Sequence, residues 1–318
     1  MYKNFLFSSV GDNTDFDSLW INNNMEYDLY VIYYGNNEII FNKYKSKGIF
    51  IERRKGSKFQ NFKYFYDKYF NIINKYDRFF ILDDDIIINV DDINCMFKIS
   101  RQYNLDICAP SFSRKGKISH IITLHKPNIL LSYTNFVEVN ALLYNKNSIN
   151  KLMEKLDYSL VGWGIDYLSI ICNGIDKKKS YAIIHKIVCV NPFDKKKNNG
   201  RELNKVTNFN KRALIWDQFA KKHKIRNIFK HIVYENIPLV QIPPHPFYGA
   251  PKKITTLPVN GYSNSIWVLV YYSHRVILYQ YHNLGKKLLN KKILDYSLPK
   301  YPITIPEILN INNFNQKI

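Results

Sequence analysis

Tyr76-Asp77-Arg78-Phe79-Phe80-Ile81-Leu82-Asp83-Asp84-Asp85-Ile86-Ile87-Ile88-Asn89-Val90 is the stretch on which the reading of this chain turns. A hydrophobic run, residues 79–82, ends in three consecutive carboxylates and is followed by three isoleucines. A short apolar run of this kind reads as a strand. Its flanks would draw the carboxylates to a buried strand end, where unpaired charge is costly and a divalent cation, Mg²⁺ or Mn²⁺, is the common remedy. Asp83 and Asp85 are the candidate metal ligands. Asp84 points the other way along the strand and is placed to contact a bound cofactor or to orient the shell. The plain alternative is a solvated acidic turn or helix cap.

Outward from this run, the first 110 residues alternate short hydrophobic segments (5–10, 29–34, 48–51, 79–82, 106–109) with helical patterns. That alternation predicts an α/β fold, a mostly parallel central sheet flanked by helices. Phe59, Phe62, Tyr66 and Tyr69 recur at helical spacing, as do Ile93, Met96, Phe97 and Tyr103 behind an Asp91/Asp92 cap. These aromatic and aliphatic stripes are read as core. The middle section predicts strands at 118–124 and 135–144, then a helix with Ile149, Leu152, Met153 and Leu156 on one face. A helix beginning near Asp166 and a strand at 181–190 follow. Residues 194–210 read as a polar, Lys-rich loop, and Trp216 and Phe219 belong to a further helix. Pro-rich sequence at 237–260 marks a boundary between a domain at 1–236 and an extension at 237–318, in which 265–280 reads as a β-hairpin.

With 318 residues, 46% hydrophobic and 15% aromatic, the chain can bury a substantial core, which argues against general disorder. The net charge of +20 suits a polyanion surface, or a field that attracts nucleotide diphosphates. Scattered Lys travelling with Asn, Ile and Tyr equally suits an AT-rich coding sequence, and a nucleic-acid partner is not favoured. Cys95, Cys108, Cys172 and Cys189 form no C-x-x-C pair and read as buried thiols of a reducing compartment. No stretch approaches the roughly 20 apolar residues of a membrane span. The expected location is the cytoplasm or the cytoplasmic face of a membrane, and the oligomeric state is open.

Four further elements carry chemistry. In Gly162-Trp163-Gly164-Ile165-Asp166 the glycines allow a tight turn and close approach to a substrate, Trp163 offers a flat face to a sugar ring, and Asp166 can accept a proton from a hydroxyl. A helix-capping Asp166 and a core Trp163 are the alternatives. Arg54 and Lys58 lie in a basic turn opening a helix, a setting that suits phosphate, although a solvated turn is the equal alternative. Glu138, inside the apolar run 136–140, must be paired, structurally or with a substrate hydroxyl. His120 is a candidate donor contact or a structural hydrogen bond, while His223, His231, His274 and His282 read as surface or interface residues.

In this order the chain resembles glycosyltransferases of the GT-A type. More narrowly it is similar to a glycosyltransferase-like family of plants and bacteria whose pattern runs Tyr-Asp, hydrophobic strand, Asp-Glu/Asp-Asp, Ser-His, Phe-Val-Glu and Gly-Trp-Gly-Leu-Asp. The matching residues here are Tyr76-Asp77, Asp83-Asp84-Asp85, Ser119-His120, Phe136-Val137-Glu138 and Gly162-Trp163-Gly164-Ile165-Asp166, and coverage is roughly residues 1–210. The resemblance implies a GT-A-like (Rossmann-like) fold, a nucleotide-diphosphate sugar donor and a divalent metal at Asp83 and Asp85. It also implies a glycan, lipid or protein acceptor facing Asp166, which would be the base if the reaction inverts and would position the acceptor if it retains. The family pattern continues to a His that can complete metal coordination. The corresponding positions here are His185 and Asn191, so the resemblance implies a rearranged shell using His185, Asn191 or the remote His245, a weak metal site, or an inactive copy. A metal-dependent nucleotidyl- or phosphotransferase, and a non-catalytic nucleic-acid- or glycan-binding module, are the alternatives from other classes.

Overall fold

The computed structural model describes residues 3–193, 209–225 and 229–239. The chain divides into two compact units, Met1–Leu239 and Val240–Ile318, and the described residues belong to the first. The hairpin expected at 265–280, His245, His274, His282 and most of the loop at 194–210 lie outside the described residues.

The strands are β1 (Asn4–Val10), β2 (Asp28–Tyr33), β3 (Phe50–Arg53), β4 (Arg78–Leu82), β5 (Ile107–Phe112), β6 (Ile129–Thr134), β7 (Ala141–Asn145), β8 (Tyr181–Cys189) and β9 (Val233–Pro238). They form one sheet in the order β3-β2-β1-β4-β7-β5-β8-β6-β9. The first four are parallel, β5 and β8 are parallel, and β7 and β6 run against their neighbours. The α/β architecture read from the alternating pattern is therefore present, with the parallel arrangement interrupted at β7 and β6.

The apolar run at 79–82 is continuous because β4 is buried on both sides. Phe79 and Ile81 enter one core, Phe80 and Leu82 the other, as the two-residue period of a strand requires. The first core lies under α3 (Lys58–Lys68), α6 (Lys146–Lys155), α7 (Ile165–Asn173) and α8 (Phe209–Lys222), and includes Phe62, Leu152, Leu168, Trp216 and Phe219. The second lies under the short α1 (Phe16–Leu19), α2 (Glu38–Lys45) and α5 (Val90–Gln102), with Tyr44, Met96 and Phe97. A further short helix, α4 (Phe70–Ile73), adds Ile73 to the first core. Phe5 stacks on Tyr30 at 4.6 Å and meets Tyr76 edge-on at 5.1 Å, contacts worth about 1 kcal/mol each beyond the area they bury.

Three local expectations are corrected. Residues 118–124 form a bend with one 3₁₀ turn at Ile121–Thr123, joined to β5 by a bridge at Leu124 and not by a ladder. The strand expected over 135–144 is confined to β7. Thr134 Oγ1 accepts the Phe136 amide at 3.1 Å and turns the chain, so Phe136 and Val137 enter the core from a loop. The cap of α5 is Asn89, whose side chain accepts the Asp92 amide at 2.8 Å. Asp91 and Asp92 occupy the first turn, where their charge favours the helix dipole.

Candidate functional site

The chain moves outward from β1 through β2 to β3, then returns to place β4 on the other side of β1. In open α/β sheets such a reversal leaves a crevice beyond the carboxyl ends of the two strands, where ligands bind. Gly11 follows β1 and Asp83-Asp84-Asp85 follows β4, so the acidic run stands at that crevice. Asp84 closes it from beneath. Its Oδ2 accepts the Gly11 amide at 2.9 Å and the Tyr34 hydroxyl at 3.0 Å. Burial of the carboxyl group, followed by the charge of Asp85, pushes its pKa up to about 7. Asp84 is thus committed to joining β1, β2 and β4.

Antiparallel pairing sets the next contact. Leu82 stands opposite Ala141, which brings Asp83 beside Asn140, and the Asp83 amide donates to the Asn140 carbonyl at 2.9 Å. Lys58, the first residue of α3, reaches the same place. Its Nζ lies 2.7 Å from Asp83 Oδ1 and donates to the carbonyls of Val139 at 2.7 Å and Asn140 at 3.2 Å. The phosphate-like site expected at the start of α3 is partly used by the protein itself. Ser57 and Gln60 cap the helix reciprocally, Ser57 N donating to Gln60 Oε1 at 3.0 Å. Arg54 hydrogen-bonds Asn61 and lies over Tyr64 at 4.8 Å, bracing the turn beside the crevice.

Asn140 links the acidic run to Glu138, its Nδ2 donating to Glu138 Oε1 at 2.8 Å. Thr123 Oγ1 donates to Glu138 Oε2 at 3.2 Å, and the Ser119 side chain bonds the same carboxyl group. Glu138 is 3% exposed; burial first, and the charges of Asp166 and Asp83 in addition, raise its pKa to about 7. Asp166 lies in the first turn of α7, is buried, and accepts the Tyr167 amide at 3.0 Å. Burial raises it to about 7 as well. Two desolvated carboxyl groups within electrostatic reach of each other, both poised near neutrality, are what a site for proton transfer requires.

The glycines flanking Trp163 do different work. Gly164, at φ +84°, packs against the Trp216 indole so closely that a Cβ would fall 2.1 Å from its Cδ2. Gly162, at φ +105°, has open space where its Cβ would be. Trp163 keeps 39% of its surface exposed and is not a core residue.

His120 faces Phe136 at 4.7 Å and His231 at 5.2 Å, next to the Ser119 that binds Glu138. His231, read from sequence as a surface or interface residue, instead stacks on Phe136 at 3.8 Å and meets the Tyr167 hydroxyl through Nε2 at 3.2 Å. Burial, then the charge of His120, lowers its pKa to about 4, and burial also lowers that of His120. Nothing in the local sequence distinguishes His231, because its partners come from residues 136 and 167.

The two positions matched to the family His separate. The ladder between β5 and β8 shifts register after Pro110, from Ile184 to Val188, so His185 and Asn191 do not follow the alternation of a regular strand. His185 Nδ1 accepts the Lys126 amide at 3.2 Å and Nε2 faces Ser132 Oγ at 2.9 Å, and burial keeps the ring neutral. Both ring nitrogens are thus engaged by protein groups. Asn191 follows Val190, which bridges Ile87 just beyond the acidic run, and it is buried. Among the described residues no three His, Cys, Asp or Glu side chains form a group that could hold a metal ion.

No family model and no curated protein matches the chain. Solved structures resemble it in fold. Residues 1–349 of S. aureus TarS, in complex with UDP-GlcNAc, align at 8% identity and a TM-score of 0.45 over 70% of this chain and 66% of that one, just under two thirds of its length. A longer TarS structure aligns at 9% identity and a TM-score of 0.39 over 84% of this chain and 47% of that one. A candidate nucleotide-diphospho-sugar transferase from Desulfovibrio desulfuricans G20 aligns at 10% identity and a TM-score of 0.33 over 70% of this chain and 99% of that one. At these identities and TM-scores the likenesses assign no chemistry.

Proposed function

We propose that the protein is a glycosyltransferase of the GT-A type, moving a sugar from a nucleotide-diphosphate donor to a hydroxyl of a glycan, lipid or protein. The observation that carries this reading is the meeting, at one end of the sheet, of the acidic run at the β1/β4 crevice with the two buried carboxyl groups of Glu138 and Asp166. The diphosphate belongs at the crevice, the acceptor on the side of Asp166 and exposed Trp163. In an inverting transfer Asp166 takes the acceptor's hydroxyl proton as that oxygen bonds to the anomeric carbon, and the sugar–phosphate bond breaks with its electrons leaving on the diphosphate. Glu138, held by Thr123 and Asn140, keeps a second carboxyl group beside this path.

Asp85 and Asn191, whose neighbour Val190 bridges Ile87, carry oxygen donors of the kind that suit a hard cation such as Mg²⁺ or Mn²⁺. Such ions commonly take one or two carboxylates and complete their shell with phosphate and water. When bound, the ion would neutralise the departing diphosphate. A metal-dependent nucleotidyl- or phosphotransferase is the second reading, favoured by Glu138 lying within electrostatic reach of Asp83.

The test is calorimetric binding of UDP, GDP, CDP and dTDP with and without Mn²⁺ to the native chain and to Asp85→Asn. Binding of one nucleotide, enhanced by Mn²⁺ only in the native chain, is the expected result. No binding by the folded native protein would overturn the reading.

A further inference from the structure

Lys58 offers three ammonium protons, and three oxygens receive them: Asp83 Oδ1 at 2.7 Å, the Val139 carbonyl at 2.7 Å and the Asn140 carbonyl at 3.2 Å. The side chain is only 10% exposed, and its backbone is fixed at the first position of α3 by the Ser57–Gln60 capping box. This is a cation seat of hard oxygens, one of them the first carboxylate of the run, with the protein's own cation in it.

We propose that the Lys58 ammonium is a resident cation that withdraws Asp83 from the metal-binding set and leaves a fixed positive charge at the donor crevice. With its three protons directed at protein oxygens, Lys58 meets an approaching diphosphate as a charge and not as a hydrogen-bond donor. A divalent ion sharing Asp83 would stand beside the ammonium and be repelled by it, so any metal is left to Asp85 and to oxygens outside this seat. The inference rests on the transferase reading only for the identity of the diphosphate.

The test uses Mn²⁺ alone, its free fraction read by electron paramagnetic resonance in the full chain, with folding checked by circular dichroism. Lys58→Gln and Lys58→Met remove the ammonium from Asp83. Each is expected to bind Mn²⁺ about tenfold more tightly than the native chain, the scale on which added ligand charge acts at a hard-cation site. Adding Asp83→Asn is expected to remove that gain. Should both Lys58 variants fail to fold, Asp83→Asn alone decides: it is expected to leave Mn²⁺ affinity within about threefold of native, because Asp83 supplies little of the binding. Variants at Lys58 that bind no more tightly than native, a gain that survives Asp83→Asn, or a loss in Asp83→Asn equal to that in Asp85→Asn would each overturn the proposal. Failure of the nucleotide panel alone would sink the transferase reading and leave the seat standing.

Discussion

Asp166 begins α7 with its carboxyl group buried, and burial has a price in stability that can be read separately from catalysis. Its pKa stands at 3.8 in the absence of the fold and at about 7 within it. Below about pH 4 both states hold the proton; between about pH 4 and 7 the unfolded chain releases it first, so stability falls as pH rises and levels off above about 7. Asp166→Asn should remove this loss, making the variant more stable than the native chain at pH 8 by on the order of a few kcal/mol, with little difference at pH 4. Urea melts of both proteins at the two pH values check this, and parallel pH dependence would sink it. The same group should shape turnover. If Asp166 is the base, kcat/KM rises with pH to a plateau near 7, and Asp166→Asn lowers it about 10²–10⁴-fold while leaving nucleotide affinity unchanged. Glu138 stands at about 7 too, so the acid limb belongs to the pair, and an unaltered profile in the variant would assign it to Glu138.

At the scale of elements, the turn into α7 depends on two glycines for different reasons, and substitution should separate them. Gly162→Ala meets no atom but must hold φ +105°, a cost of about 1–2 kcal/mol. Gly164→Ala must hold φ +84° and also displace the Trp216 indole, so a loss of at least about 3 kcal/mol is expected. Equal losses in thermal or urea melts would contradict the packing of α8 on this turn. The sequence made the glycines legible as a turn but not Trp216, which reaches Gly164 from α8, beyond the loop. β4 was legible because a strand buried on both faces is a continuous apolar run closed by charge. β6 was not, since Ser132 and Thr134 are buried there as hydrogen-bonded polar residues and break the hydropathy signal. Phe136 and Val137 misled in the opposite sense, being core residues on a loop. Within the site, Asp83, Glu138 and Asp166 stood out as charges among apolar neighbours. The seat of Lys58 did not, because two of its oxygens are backbone carbonyls, which no side-chain pattern reveals.

For the whole molecule the charge of +20 opposes a site whose own side chains are largely acidic. A diphosphate nearing Asp83, Asp84 and Asp85 is repelled at short range, so capture must draw on the wider field and on Lys58 within the crevice. That division has a kinetic signature. Raising NaCl from about 50 to about 500 mM shortens the screening length from about 14 to about 4 Å, which removes the distant lysines from the encounter but spares contacts inside the crevice. Association of whichever nucleoside diphosphate binds should slow by about tenfold across this range, with dissociation changing much less. Stopped-flow fluorescence with a labelled nucleotide measures both. An association rate indifferent to salt would mean that the lysines record only the composition of the coding sequence. Polynucleotide binding that falls steeply with salt and ignores Asp85→Asn would instead assign the basic surface to a binding module, with the acidic run a structural cap.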